Sequence, residues 1–465
     1  MVASATSHTW FSPLDGSEVV TVPVTAPSDV PDVVARARTA FESWSVTTLE
    51  SRGRIIRKVA QILESRSEEL AEIVRRETGK PLGASLGEIG GAVEMGYLVS
   101  SQGRHEMGSL LPSAIPGRQV RVQRMPLGVA ALIVTYNAPF PNYAWKTFPT
   151  LMAGNAAILK PSPATPLSAT VFGEILQEAG VPEGVFQVIH GAGETAAALI
   201  DAGVELVSFT GSYPTGKRVV EASAKTLAKT VIELGGANPL IVCDDADLTA
   251  AVDVVIDSAF SNAGQRCSSA SRVIVQDGVY DEFVARLMTA AESMTWGAEP
   301  DVLVSTLVDS QSVEAFESYL AHAQSVGATV DRVGTLEGAP AAEACLAQPA
   351  IIQGLAIDSE SGMAEFFGPA TRLFRFSSDE DAIRMANTSE YGLTAAVWSS
   401  DIARAERIVE RLEAGVININ GPTHGAEINM PFGGVKHSGN GSRDAGIHSI
   451  DQYSDIKVVS TFFGA

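Results

Sequence analysis

Two residues with reactive side chains stand beside glycines near the middle of the chain, which has 465 residues. Cys267 follows a Gly-Gln-Arg segment (264–266), after a helix-like run and before an apolar run typical of a strand. Glu233 ends another apolar run and precedes two glycines (235–236), which allow close approach of other backbone. A thiol and a carboxylate that can act as a base are the pair required for covalent catalysis. The surrounding elements must show whether the two side chains meet.

Apolar runs at 129–134, 156–159, 186–189 and 206–209 have the composition of buried strands, and helical segments separate them. This alternation predicts a doubly wound α/β sheet, in which ligands bind at the carboxyl ends of the strands. Residues 240–440 repeat the pattern and predict a second α/β unit.

The segments outside these two units have other patterns. Residues 29–80 have helical apolar spacing, and a further helix is expected over 87–103. Residues 108–126 alternate apolar and polar side chains and predict a hairpin arm between domains. The C-terminal stretch 456–463 is strand-like and needs a partner strand.

Composition excludes several classes of protein. The net charge of −21, from 33 Lys and Arg against 54 Asp and Glu, disfavours nucleic-acid binding. No apolar run reaches the roughly 18 residues of a membrane span, and the N-terminus lacks the regions of a secretory signal, so we expect a cytoplasmic protein. Three cysteines without ligand spacing predict neither disulfides nor a metal site. Cys243 is interpreted as a buried packing residue, and Cys345 as a packing or surface residue.

Two stretches imitate phosphate-binding loops. Residues 191–196 match G-x-G-x-x-A, but no acidic residue ends a second strand about 20 positions later, as the dinucleotide fingerprint requires. Residues 211–217 match G-x-x-x-x-G-K, but Arg218 stands where a hydroxyl should hold magnesium and Pro214 removes one N–H donor. A nucleotide triphosphatase is therefore disfavoured, although a glycine-rich loop that opens a helix can face a pyrophosphate.

Three further residues each allow a structural and a functional interpretation, and one glycine-rich stretch indicates a ligand nearby. Asn137 is either a turn residue or an amide donor to an oxyanion. Lys160 is either a surface lysine or a ligand of ribose or phosphate, and Glu365 belongs either to a packed loop or to a site. The stretch 431–441 is too rich in glycine for a core and is expected near a ligand.

Taken together, these segments resemble the aldehyde dehydrogenase superfamily over essentially the whole chain. The resemblance rests on eight segments that occur in the family's order: Tyr136-Asn137-Ala138-Pro139, Ala153-Gly154-Asn155, Lys160-Pro161-Ser162, Phe209-Thr210-Gly211-Ser212, Glu233-Leu234-Gly235-Gly236, Gly264-Gln265-Arg266-Cys267, Glu365-Phe366-Phe367-Gly368-Pro369 and Pro431-Phe432-Gly433-Gly434.

The resemblance implies a catalytic mechanism. Cys267 would attack the aldehyde carbon as a thiolate, and Asn137 with the backbone N–H of Cys267 would hold the oxyanion. Hydride would leave for a nicotinamide cofactor, and Glu233 would activate the water that hydrolyses the thioester. The presence of Glu233 argues against the branch that transfers the acyl group to coenzyme A. A scaffold relative without activity would not need these three residues.

The resemblance also assigns the cofactor residues. Lys160 and Ser162 would lie at the adenosine ribose, Gly211 and Ser212 at the pyrophosphate, and Glu365 with Phe367 at the nicotinamide ribose and ring. Relatives specific for NAD commonly carry a glutamate where this chain has Pro163. Without that carboxylate the site is compatible with NADP, and NAD is preferred only slightly.

By the same comparison, the fold would have two doubly wound α/β domains and a β-arm that forms a homodimer or homotetramer. The cofactor domain would span 1–107 and 127–235, the catalytic domain 236–443, and the arm 108–126 and 444–465.

Three positions bear on the substrate. Trp145 would line the aldehyde tunnel or belong to the core, and Arg266 would bind a substrate anion or form a structural salt bridge. His424 would lie at the tunnel mouth or in an exposed loop. An anionic semialdehyde is the leading hypothesis, although Trp145 replaces an arginine of succinate-semialdehyde enzymes. An aromatic or medium-chain aldehyde is the alternative.

Overall fold

A computed structural model describes residues 6–104 and 108–463. Its α-helices in chain order are α1 (Val30–Trp44), α2 (Leu49–Ser65), α3 (Ser67–Thr78), α4 (Leu82–Ser101), α5 (Pro139–Ala153), α6 (Pro166–Ala179), α7 (Gly193–Asp201), α8 (Tyr213–Ser223), α9 (Leu248–Phe260), α10 (Tyr280–Glu292), α11 (Ser310–Ser325), α12 (Glu360–Met363), α13 (Asp379–Asn387), α14 (Ile402–Val409) and α15 (Ser449–Gln452).

The strands are β1 (Ser7–Phe11), β2 (Glu18–Pro23), β3 (Gly108–Leu111), β4 (Arg118–Pro126), β5 (Val129–Ile133), β6 (Ala156–Lys160), β7 (Phe186–Val188), β8 (Leu206–Thr210), β9 (Lys229–Glu233), β10 (Pro239–Val242), β11 (Arg272–Gln276), β12 (Thr295–Gly297), β13 (Thr329–Arg332), β14 (Thr335–Glu337), β15 (Ala350–Gln353), β16 (Ala370–Phe376), β17 (Tyr391–Gly392), β18 (Thr394–Trp398), β19 (Val416–Ile419), β20 (Val435–Lys436) and β21 (Ser454–Phe462).

The first sheet is parallel, with strand order β7-β6-β5-β8-β9. Its central strands β5, β6 and β8 are buried on both faces. Ala130 and Leu132 of β5 pack in one core with α2 and α4 to α6, whereas Val129 and Ala131 pack in another with α1, α7 and α8. Helices on both faces explain why β5 is a continuous apolar run. The doubly wound sheet predicted from the sequence is confirmed.

The second sheet has the order β13-β15-β16-β11-β10-β18-β19, and β13 is its antiparallel edge strand. Leu240 and Val242 face the core under α9 to α11, and Ile241 and Cys243 face the core under α13 and α14. The expected second α/β unit is therefore present, and Cys243 is a buried packing residue.

A third, antiparallel sheet joins β3, β4 and β21 in the order β21-β4-β3. The partner that the C-terminal strand needs is β4, with which it pairs from Ser454 to Phe462. The hairpin predicted over 108–126 is also confirmed. We call these three strands the arm sheet.

The region 29–80, expected to be helical, contains α1, α2 and α3, and Thr48 caps the start of α2 by accepting a hydrogen bond from the Ser51 N–H. The expected start of the following helix needs correction. The next helix begins at Leu82 rather than at Gly87, directly after Pro81, and ends at Ser101. Glycines in its first turns do not break it, since it packs against α2 and α5.

Among the described residues, no helix combines the length and the apolar character that crossing a bilayer requires.

Candidate active site

Four residues named from the sequence lie at one edge of the first sheet. Asn137 follows β5, Lys160 ends β6, Gly211 follows β8 and Glu233 ends β9. Because these strands are parallel neighbours, their carboxyl ends meet at the same edge, where α/β sheets bind ligands. The structure thus brings these four residues together at the edge where a ligand is expected.

Cys267 lies in a loop between α9 and β11 that has unusual backbone conformations. Asn262, Ala263 and Gly264 have φ values of 56°, 52° and 68°. A Cβ at position 264 would overlap the carbonyl of Gly368, so glycine is required there. Left-handed backbone at two non-glycine residues is costly and persists only where neighbouring contacts fix it.

Side-chain hydrogen bonds fix this loop. Gln265 donates from Nε2 to the carbonyl of Thr306 at 3.2 Å and accepts from the N–H of Val308 at 3.1 Å. The Nδ2 of Asn238 donates to the carbonyl of Cys267 at 2.8 Å. The nucleophile candidate is therefore held by buried amides on both sides of its loop.

Two cavities meet at Cys267. The first has a volume of about 300 Å³ and the second of about 290 Å³. Cys267, Asn137, Thr210 and Leu234 line both of them. A ligand in either cavity can therefore reach the same thiol.

The pKa of the Cys267 thiol is raised to about 12 by burial and by the nearby carboxyl groups of Glu233 and Glu365. The thiol is consequently protonated at neutral pH in this state, and attack as a thiolate requires a base or a nearby positive charge.

Glu233 lies in the first cavity with an enclosed carboxyl group. Neither oxygen has a hydrogen-bond partner among residues 6–104 and 108–463. Burial and then the charge of Asp444 raise its pKa well above 4.5, while Lys146 and Arg443 oppose the shift. A buried carboxyl group with this shift is a strong base once ionised.

Asn137 lines both cavities and uses one amide proton, donating from Nδ2 to the carbonyl of Gln265 at 3.1 Å. A side-chain amide has a second N–H. The structure therefore leaves Asn137 one donor with which to stabilise negative charge beside Cys267.

The second cavity contains most of the predicted cofactor residues, namely Gly211, Ser212, Glu365 and Phe367. The Glu365 carboxylate accepts from the Gly236 N–H at 3.1 Å, and burial raises its pKa to about 7. A Cβ at Gly235 would overlap that carboxylate, which explains the glycine at this position.

Lys160 and Ser162 line neither cavity. Lys160 is buried at the end of β6, and burial lowers its pKa to about 8. Residues 191–196, which match the G-x-G-x-x-A pattern, also lie outside both cavities, and most of them belong to α7.

The predicted substrate residues Trp145, Arg266 and His424 all line the first cavity. The ring of Trp145 meets that of Phe432 edge-on, with centroids 5.7 Å apart. His424 pairs through Nε2 with Asp257 at 2.8 Å. His424 lies in a loop, but its side chain is half-buried and paired with Asp257.

Arg266 donates from Nη1 to Ser261 Oγ at 2.8 Å. None of the ion pairs formed within the described residues includes its guanidinium, so the structural salt bridge considered from the sequence is absent there. Another carboxylate on the cavity wall, Glu88, is already paired with the buried Lys80. The first cavity therefore has a cation with unused donors.

Sequence reasoning missed a buried polar network next to Glu233. It consists of Lys146, Ser208, Asp444 and Tyr453, which are joined by hydrogen bonds of 2.6–3.1 Å. Lys146 directly follows Trp145, but nothing in the local sequence marks its distant partners. It also missed Asn238, although Asn238 stands two residues after the Gly-Gly pair.

Known proteins were compared with this chain. The family model described as "Aldehyde dehydrogenase family" matches residues 2–459. A betaine aldehyde dehydrogenase of Rhizobium etli is 35% identical, over 97% of this chain and 93% of its own length. A 3-sulfolactaldehyde dehydrogenase of Pseudomonas putida is 33% identical, over 96% of this chain and 92% of its own.

Solved structures agree with these matches. The betaine aldehyde dehydrogenase of Staphylococcus aureus in complex with NAD+ superposes with a TM-score of 0.95 at 31% identity. The superposition covers 99% of this chain and 92% of that one.

Proposed function

The chain belongs to the aldehyde dehydrogenase family, and from that membership we propose that Cys267, Asn137 and Glu233 carry out its oxidation of an aldehyde to the acid. The observation that carries this proposal is the position of Cys267 in the shared wall of two cavities. One cavity also holds Glu233, and the other holds the residues proposed for the cofactor.

The first bond forms between Cys267 Sγ and the aldehyde carbon, and the thiol proton leaves to solvent. The carbonyl oxygen then carries negative charge. Asn137 Nδ2 and the backbone N–H of Cys267 are the donors proposed to stabilise it, since amide donors aimed at a developing oxyanion lower the barrier. The product of this step is a thiohemiacetal.

A nicotinamide cofactor, held by the residues of the second cavity, would supply the acceptor for the hydride and its two electrons from the former aldehyde carbon. A thioester on Cys267 remains. Glu233 takes a proton from water, the resulting hydroxide adds to the thioester carbonyl, and the bond from carbon to Sγ breaks. The acid leaves, and the proton on Glu233 returns to solvent.

The residues present fit a dinucleotide. Gly211 and Ser212 lie where α8 begins, which suits a pyrophosphate, and Glu365 and Phe367 lie close to Cys267, which suits the nicotinamide end. Lys160 and Ser162 are proposed for the adenosine ribose. The NAD+ complex of the Staphylococcus aureus relative supports NAD.

The alternative, NADP, is supported by the exposed Pro163, because no carboxylate at that position repels a 2′-phosphate. The ratio of kcat/KM for the two cofactors tests the preference. Pro163→Glu should lower kcat/KM for NADP+ more than for NAD+.

For the substrate we propose a small anionic aldehyde. Arg266 supports it, because its guanidinium forms no ion pair within the described residues and matches carboxylate, phosphate or sulfonate groups. The Asp257 carboxylate interacts with its charge but is paired with His424. The 3-sulfolactaldehyde dehydrogenase relative supports it as well.

A second candidate is a quaternary ammonium aldehyde. The aromatic pair Trp145 and Phe432 favours it, since aromatic faces attract such cations, and the betaine aldehyde dehydrogenase relatives favour it too. The same pair would suit an aromatic or medium-chain aldehyde. The positive charge of Arg266 opposes a cationic substrate.

We further propose that the arm sheet is the interface of a homodimer or homotetramer, and that the domains have the boundaries expected from the sequence. Ile456, Val458 and Phe462 are exposed on alternate positions of β21, and Leu110 is exposed on β3. Exposed apolar side chains on sheet edges commonly mark a site of association. Mass photometry of wild type beside Val458→Asp tests this, because the variant should dissociate.

The proposed function is tested by NADH and NADPH formation over a panel of aldehydes: succinate semialdehyde, 3-sulfolactaldehyde, glyceraldehyde 3-phosphate, betaine aldehyde, benzaldehyde and hexanal. Cys267→Ala should abolish turnover. Arg266→Ala should raise KM for anionic aldehydes while leaving hexanal almost unchanged, and Arg411→Ala, which removes an exposed arginine paired with Glu380, should change neither. A lead for betaine aldehyde that survives Arg266→Ala would refute the anionic assignment.

A further inference from the structure

Tyr453 belongs to a buried polar network beside the proposed base. Lys146 Nζ donates to Asp444 Oδ2 at 2.6 Å and to Ser208 Oγ at 3.0 Å. The Tyr453 hydroxyl donates to Asp444 Oδ1 at 3.1 Å and lies 3.1 Å from Ser208 Oγ. All four side chains are buried. Each oxygen of the Asp444 carboxylate therefore has its own donor.

Asp444 is also adjacent to Glu233. Both residues line the first cavity. The backbone of Asp444 pairs with that of Phe432 through hydrogen bonds of 2.7 and 2.8 Å. Gly433, which follows Phe432 in the chain, lies so close to Glu233 that a Cβ on it would be 2.5 Å from Glu233 Oε1. A displacement of Asp444 would therefore also displace the groups that surround Glu233.

Among the described residues, the charged and titratable groups that face Glu233 are Lys146 of α5, Arg443 and Asp444 of the segment before α15, Cys267 of the catalytic loop, and Tyr453 itself. The negative charge of Asp444 opposes ionisation of Glu233, while the cations favour it. The balance depends on how well the Asp444 charge is compensated by its hydrogen-bond donors.

The backbone of Tyr453 is also held in place, at the point where the chain enters the arm sheet. It directly precedes β21, and its carbonyl accepts from Asn155 Nδ2 at 2.7 Å. The Oδ1 of Asn155 accepts in turn from the N–H groups of Leu127 and Gly128, between β4 and β5, at 2.6 and 3.0 Å. The tyrosine is thus fixed relative to the first sheet and does not depend on Asp444 for its position.

We propose that Tyr453 is a positioning residue for thioester hydrolysis: its hydroxyl holds the Asp444 carboxylate against Lys146 and so sets the charge that surrounds Glu233. This inference rests on the proposed role of Glu233 as the base. Tyr453 contacts neither cavity, so it acts on water activation through Asp444 and leaves attack by Cys267 and hydride transfer unaffected.

The test compares Tyr453→Phe with Tyr143→Phe. Tyr143 is a matched control, because it is also fully buried and its hydroxyl bonds to Thr165 and Ser168, away from Glu233. Each variant and wild type is mixed with cofactor and 3-sulfolactaldehyde, or with hexanal if wild type prefers neutral aldehydes. Samples are quenched in acid, and the fraction of protein carrying an acyl group on Cys267 is measured by mass spectrometry.

In Tyr453→Phe the thioester should decay at least about fivefold more slowly than in wild type. This loss is a part of the roughly 100-fold or larger rate enhancement that a general base contributes. The acid limb of the pH profile for thioester decay should move to higher pH. The Asp444 carboxylate would have one hydrogen-bond donor fewer, so its negative charge would disfavour ionisation of Glu233 more strongly. The rate of thioester formation should stay at the wild-type value. Tyr143→Phe should lose thermal stability but keep the wild-type decay rate and pH profile.

Wild-type decay with an unshifted pH profile in Tyr453→Phe would overturn the inference. Equal slowing of thioester formation and decay, without a pH shift, would also overturn it, because it would indicate a structural role alone. Failure of the proposed function is distinct, since wild type itself would then carry no acyl group on Cys267.

Discussion

Asn238 holds Cys267 in place, since its Nδ2 donates to the Cys267 carbonyl at 2.8 Å and to the Ser269 carbonyl at 2.9 Å. Its Oδ1 accepts from the N–H of Thr394 at 3.0 Å. One buried side chain thus ties the nucleophile loop to β18 of the second sheet. The position of the thiol between the two cavities depends on this amide.

Asn238→Ala should therefore reduce both stability and turnover. It leaves the Cys267 carbonyl and the Thr394 N–H without partners, while the Ser269 carbonyl keeps the Ser271 N–H, and the loss costs about 2 kcal/mol or more. Movement of the thiol by a fraction of an ångström should lower kcat about tenfold or more. Asn387→Ala is the control, because Asn387 also bonds to two backbone groups, of Arg411 and Glu413, at 2.9 Å. Equal kcat values for both variants would contradict this role.

The raised pKa of Cys267 predicts its reactivity towards iodoacetamide. Only the thiolate reacts, so without cofactor the rate at Cys267 should keep rising about tenfold per pH unit from pH 7 to 10. Glu365→Gln removes one of the charges that raise the pKa and should increase the rate. Peptide mapping separates Cys267 from the half-buried Cys345. A plateau near pH 8 would show that the thiol is not perturbed in this direction.

The ion pair between the buried Lys80 and the half-buried Glu88 makes a prediction for stability. Lys80→Met leaves the Glu88 carboxylate without its cation and should destabilise the protein by roughly 3–5 kcal/mol. The double variant Lys80→Met, Glu88→Leu removes both charges and should recover most of that loss. Thermal midpoints in the order wild type, double variant, Lys80→Met are expected. A double variant below the single one would contradict this account.

Glu77 predicts a pH dependence of stability. Its buried carboxyl group accepts from the N–H groups of Leu167 and Ser168, and burial raises its pKa from 4.5 to about 7. Between those values the folded state holds a proton that the unfolded state has released. Its contribution to stability is therefore complete below about pH 4.5 and is lost as pH rises through 7.

The difference in stability between wild type and Glu77→Gln should accordingly shift by about 3 kcal/mol against wild type between pH 4.5 and 7. Unfolding midpoints across this range measure it. A difference that is constant with pH would mean that Glu77 does not titrate there.

Most of the fold and the location of the site are predictable from the sequence, because they depend on local patterns. Continuous apolar runs identify β5, β6 and β8, and parallel pairing then brings Asn137, Lys160 and Glu233 to one edge. The family resemblance correctly placed Trp145, Arg266 and His424 around one cavity. Their roles stay predictions.

What the sequence does not reveal depends on contacts between distant segments. Lys146 and Asp444 are 298 positions apart, and neither lies in a pattern that indicates a partner. The left-handed backbone at Ala263 has no signal in residue type, since alanine does not favour that conformation, whereas asparagine at 262 adopts it more readily. The start of α4 at Leu82 was missed because Gly79 and Pro81 indicate the end of a helix, whereas α4 begins directly after Pro81 and is stabilised by packing against α2.

The central claim is that the reaction passes through a thioester on Cys267 that Glu233 helps to hydrolyse. The direct measurement is acid quenching of Glu233→Gln, mixed with cofactor and its best aldehyde, followed by mass spectrometry and peptide mapping. Glutamine matches the shape of the protonated carboxyl group, so the fold should persist. We predict one equivalent of reduced cofactor per site and an acyl group on the peptide that contains Cys267. Continued turnover without that adduct, or turnover by Cys267→Ala, would contradict the account.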